Sequence, residues 1–141
     1  MLTERQYPLH IINLHSIRDL HERLPDVSSF SANRFRANII VTGPPAYDED
    51  DWKTIKIEDD VFYAACRTVR CKLPNVDQET GVREKSGEPD NTMREYRDVD
   101  EGAPGKACMG LQLVPKKETG VVTVNTTVEV VERGEHKYIP Q

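Results

Sequence analysis

The stretch Trp52-Lys53-Thr54-Ile55-Lys56-Ile57, Glu58-Asp59-Asp60, Val61-Phe62-Tyr63-Ala64-Ala65-Cys66-Arg67-Thr68-Val69 decides the fold class. Two runs rich in β-branched and aromatic residues flank a short acidic turn, the pattern of a β-hairpin. No Asn-Gly or Asp-Gly pair fixes the turn type. Upstream, residues 8–12 (Pro-Leu-His-Ile-Ile) read as a strand. A helix follows, with Ser16 as its N-cap, Asp19 three residues on, and Leu14, Ile17, Leu20 and Leu24 at helical spacing; Pro25 closes it. Residues 26–33 form a Ser-rich loop. Residues 34–43 read as a further strand, apolar enough in its second half to be buried on both faces. Downstream, residues 78–104 are a long polar loop holding a short helix over 92–96 capped by Asn91. Short strands are expected at 110–114, 121–124 and 128–131, followed by a tail. Repeated βα units are missing, so the expectation is a mainly β fold, a small barrel or sandwich with short helices and a long polar loop.

Bulk properties bound the function. The 141 residues suffice for one domain. A hydrophobic content of 37% against 30% charged residues predicts a modest core, or a surface normally covered by something else. The net charge of −5 argues against a nucleic-acid partner. No apolar run approaches the roughly 18 residues that cross a bilayer, so no membrane segment is expected. No signal peptide is visible, and three cysteines without an export signal point to a reducing, cytoplasmic or otherwise intracellular setting.

The hairpin leads directly into Arg70-Cys71-Lys72-Leu73-Pro74 and then Asp77-Gln78-Glu79-Thr80-Gly81. Positive charge beside a thiol favours the thiolate, the form that binds metals and attacks electrophiles. Pro74 ends the strand, so Cys71 is expected where a loop begins. The same residues fit a buried structural cysteine. Cys66 and Cys71 are separated by four residues, not the two of zinc and redox motifs, and no second pair completes a zinc site. On a strand, Arg34, Arg36 and Asn38 alternate onto one face, a donor set suited to a phosphate or polar heterocycle, or simply a solvated face. Tyr47 and the four acidic residues after it read as a solvated turn, lacking the glycine and distal glutamate of a calcium loop. His10, His15, His21 and His136 show no ligand spacing.

Arg34-Phe-Arg36-x-Asn38-Ile, Tyr47-x-Glu49-Asp50-x-Trp52, and Arg70-Cys71-x-x-Pro-x-Val-Asp77-x-x-Thr80-Gly81, in this order, resemble the MOSC domain. This is the C-terminal domain of molybdenum cofactor sulfurases and of the mitochondrial amidoxime-reducing components, the latter being the nearer branch. Glu88-Pro89, Tyr96-Arg97, Asp100 and Gly110 continue the match, which runs from about residue 8 to 136. The resemblance implies a MOSC-type β-barrel. It implies that Cys71 ligates the molybdenum of a molybdenum-pterin cofactor as the catalytic thiolate, with Arg36, Asn38 and Arg70 near the cofactor's phosphate and pterin. Asp77, Thr80 and Gly81 would shape the loop beneath. The implied function is an oxidoreductase that reduces N-hydroxylated substrates with electrons from a heme or flavin protein. The alternative is a non-catalytic sulfur carrier or cofactor-docking module with a persulfide on Cys71. The sequence departs from the family in having no Cys-x-x-Cys pair. Glu58-Asp59 and Asn125-Thr126 stand where Gly-Asp is usual, so another turn geometry is expected there. Residues 1–141 read as a single MOSC domain without the family's N-terminal β-rich domain; longer forms would be mitochondrial.

Overall fold

The computed structural model describes residues 8–25, 27 and 30–139; part of the expected loop at 26–33 lies outside the described residues. Its centre is one six-stranded sheet in the order β2-β1-β5-β4-β3-β6. The strands are β1 (Leu9–Asn13), β2 (Ile39–Val41), β3 (Trp52–Ile57), β4 (Asp60–Val69), β5 (Cys108–Pro115) and β6 (Val128–Arg133), with helices α1 (Leu14–Arg23) and α2 (Asp90–Tyr96). The predicted hairpin is β3–β4, antiparallel from Thr54↔Tyr63 to Ile57↔Asp60. β1 pairs parallel with β2 and antiparallel with β5, Leu9 facing Leu113.

Alternation along the strands sorts the core onto the two sheet faces. Ile11, Trp52, Ile55, Ile57, Phe62, Ala64, Leu111 and Leu113 fill one face, with Leu9, Ile39, Val128 and Val130 packed at its margin. Ile12 points the other way and meets Ile17 and Leu20 of α1, Phe35, Met93 of α2, and Met109. The sheet curls into a half-barrel around the first cluster. Residues of both edge strands, β2 and β6, line one groove of about 540 Å³. Fold class is therefore as expected, but the barrel is open: β2 and β6 do not pair.

Asn91 lies inside the second helix, which starts at Asp90, instead of capping it, and four other local expectations give way. Residues 34–43 are not one strand. Ser31 Oγ accepts from Asn33 N (3.3 Å) and caps a 3-10 turn over Ala32–Phe35; Arg36 is left-handed (φ 52°), and only Ile39–Val41 pair. Consequently Arg34, Arg36 and Asn38 do not share a strand face, and Ile40, on an edge strand, is 49% exposed. The N-cap of α1 is Asn13, whose Oδ1 accepts from His15 N (3.0 Å); Ser16 is buried inside the helix. Residues 121–124 form no strand; the outer neighbour of β3 is β6. The turns at Glu58 and Asn125 keep the positive φ that glycine ordinarily supplies, at 55° and 69°.

Candidate functional site

β4 ends at Val69, where the sequence places the start of the loop. Arg70 N donates to Ala107 O (2.8 Å), extending the ladder by one bond. Cys71 then leaves the sheet and is exposed, its Sγ accepting from Leu73 N (3.4 Å) at the head of the 3-10 turn Leu73–Asn75. The other two thiols are buried in β4 and β5. Burial pushes both Cys66 and Cys108 up to about 11, with the Asp100 carboxylate adding to it. Cys71 is thus the one accessible thiol of the three.

The Arg70 side chain turns back under the sheet. Its Nε donates to Met109 O (3.0 Å), Nη1 to Phe35 O (3.1 Å) and Nη2 to His10 Nε2 (2.6 Å); the guanidinium lies 5.0 Å from the centre of the Phe35 ring. Every hydrogen-bond partner is neutral, and among the described residues no carboxylate pairs with it. Burial lowers Arg70 to about 9, still above neutral pH. A half-buried cation held by dipoles alone favours an anion beside it.

The other expected residues connect to Arg70 through its neighbours. Asn38 is tied to β1 by two bonds, His10 N to its Oδ1 (2.8 Å) and its own N to His10 O (2.9 Å). Arg36 follows Phe35, the residue whose carbonyl Arg70 binds. It is exposed, and its guanidinium has no hydrogen bond or ion pair among the described residues. Arg70 and Asn38 are thus linked through His10, while Arg36 and Cys71 are next in sequence to Phe35 and Arg70; a turn and two bonds to β1, rather than strand alternation, relate them. Sequence spacing missed His10, and the one available signal was a polar residue within the apolar run Leu9–Ile12.

Arg34, expected beside Arg36, serves the loop instead. It is 1% exposed; its Nη2 pairs with Glu84 (2.9 Å) and lies 4.0 Å from Asp77, and its Nη1 donates to Pro74 O (3.4 Å). Asp77 Oδ1 accepts from Glu79 N (2.8 Å) and Thr80 N (3.2 Å), and Gly81 turns at φ 73°. The loop-shaping role expected of Asp77, Thr80 and Gly81 matches this geometry. The acidic stretch after Tyr47 is only partly solvated: Asp51 is exposed, Asp48 and Asp50 are half-buried, and Glu49 is buried. Glu49 is 1% exposed and takes bonds from Asn13 Nδ2 (3.1 Å) and Ser16 Oγ (2.8 Å); Asp48 holds Trp52 Nε1 and Arg133, and Asp50 holds Arg97. Among the described residues no group of three or more His, Cys, Asp or Glu could hold a metal, so protein ligands alone do not make a metal site.

The MOSC domain family model matches residues 2–129. The chain is 35% identical over 97 residues to molybdenum cofactor sulfurase of Arabidopsis thaliana, covering 63% of this chain and 12% of that protein. It is 36% identical over 93 residues to human mitochondrial amidoxime-reducing component 1, covering 66% and 27%. The zebrafish (Danio rerio) component 1 is 33% identical over 122 residues, covering 86% and 36%. The chain thus spans about an eighth to a third of the lengths of these relatives.

Proposed function

The chain belongs to the MOSC domain family, and from that premise we propose that it binds a molybdenum-pterin cofactor through Arg36, Asn38, Arg70 and Cys71. The observation that carries this is an exposed thiol next in sequence to a half-buried arginine that has no carboxylate partner among the described residues. A soft metal suits a lone thiolate when the cofactor brings the remaining ligands. An anionic cofactor suits Arg70 and Arg36, which has no ion pair among the described residues. Cys71 would hold the metal and is the residue placed for catalysis; Arg36 and Arg70 would hold anionic groups, with Asn38 Nδ2 as an amide donor. When bound, the cofactor supplies two-electron redox chemistry at the metal. The protein groups orient it and balance its charge.

The activity that fits is reduction of N-hydroxylated substrates, with electrons from a heme or flavin protein. We read residues 1–141 as one MOSC domain, with a β-rich domain beside it as the piece that completes the cradle. Three free thiols suit a reducing intracellular setting. No described helix is long and apolar enough to cross a membrane.

The test is metal analysis after expression in a host that makes molybdenum cofactor. Wild type is expected to carry molybdenum and Cys71→Ala to lose most of it; equal, near-zero metal in both would overturn the reading. The exposure of Cys71 favours a second reading, a sulfur carrier with a persulfide on this thiol. That reading expects persulfide-specific labelling at Cys71 without reductase turnover.

A further inference from the structure

We infer that His10 is a positioning residue: its ring fixes the direction of the Arg70 guanidinium, and its main chain fixes Asn38. This rests on the reading of Arg70 and Asn38 as cofactor-holding residues. Of the three acceptors around Arg70, two are main-chain carbonyls that any sequence would present. The third, His10 Nε2, is the only one supplied by a side chain. Arginine only donates, so Nε2 must accept, and the ring is neutral with its proton on Nδ1. Burial, with Arg70 adding to it, lowers His10 to about 3, so the ring stays an acceptor at neutral pH.

The choice of histidine has a physical reason. A carboxylate at this position would also orient Arg70, but it would cancel the charge. A neutral acceptor aims the cation and leaves its charge available to a ligand. Arginine carries five N–H donors; the three bonds leave one on each terminal nitrogen, the complement a bidentate oxyanion takes. The neighbouring sequence makes room for the ring. Gly110 lies at φ 87°, and a Cβ there would come within 2.6 Å of His10 Nε2 and of Ile11 O. His10 also bonds Asn38 through both its N–H and its carbonyl, so one residue holds two of the four site residues in register.

The test compares wild type with His10→Gln, His10→Leu and His10→Glu, expressed with molybdenum cofactor. Molybdenum and pterin content are read alongside the side-chain ¹⁵N resonance of Arg70, assigned by its loss in Arg70→Lys. His10→Gln restores an acceptor and should retain cofactor within about threefold. His10→Leu should lose about tenfold, the equivalent of one charge-assisted bond, and its Arg70 signal should broaden into solvent exchange. His10→Glu should keep the signal sharp yet lose cofactor, because the charge is cancelled. Wild-type cofactor content or an unchanged Arg70 signal in His10→Leu would overturn the inference. So would equal retention in His10→Gln and His10→Glu, a comparison that stands if His10→Leu does not fold. A wild type without pterin would remove the cofactor reading, while the Arg70 resonance would still decide whether His10 aims the guanidinium.

Discussion

Arg36 shows how much a single residue can carry in this fold. It closes a 3-10 turn in the left-handed region at φ 52°, and its side chain reaches solvent rather than a partner. Such a conformation costs a non-glycine residue about 1 kcal/mol or more. Strain of this kind persists where the side chain is needed. Arg36→Gly should therefore raise the melting temperature by a few degrees while lowering molybdenum content several-fold; a fall in both quantities would contradict a ligand-directed Arg36. Legibility in the sequence divides along the same line. Cys71 and Arg70 stand out because charge beside a thiol is a local property. His10 does not, because its partner is 60 residues away and only the folded register brings them together.

Among the elements, the segment from the turn at Leu73–Asn75 to Glu84 is held by one buried arginine more than by its own ladder. Its single bridge, Val76↔Arg83, is short, whereas Arg34 reaches Pro74, Asp77 and Glu84 together. Removing Arg34 leaves those acceptors facing an empty site. Arg34→Ala should cost about 3 kcal/mol, visible as a lower urea midpoint, and should open the loop to trypsin at Arg83 and Lys85. Arg34→Lys should not rescue it, since one ammonium cannot span the fork. Here the sequence misleads for a physical reason. Arg-Phe-Arg-Ala-Asn has the period of a strand, but a serine cap and a buried ion pair outcompete strand pairing. The acidic run after Tyr47 misleads similarly: its composition suggests solvent, yet Glu49, Asp48 and Asp50 clamp α1, β6 and the end of α2.

At the scale of the molecule, the mainly β class was legible from the hairpin and the short apolar runs, because period two is local. The open curl was not, since whether β2 meets β6 depends on curvature summed over six strands. Acid stability also belongs to the whole. His10 is buried and held down to about 3, and His136, bound to the Trp52 carbonyl, is lowered by burial as well. The unfolded chain therefore binds protons on these rings first, near pH 6.5. Their contribution is present above that pH and is lost as pH falls toward about 3, by as much as about 1.4 kcal/mol per pH unit for His10. Urea midpoints should decline below pH 6.5, before most carboxylates titrate, and His10→Gln should flatten that limb. The position of β1 has one more consequence. It sits between β2 and β5, and Leu9 pairs with Leu113. At a synthesis rate of about 5–20 residues per second, β1 emerges from the ribosome roughly 5–20 s before its antiparallel partner exists. During that interval Ile11 and Ile12 can pair only with β2, so the other side of β1 stays open until β5 has been made.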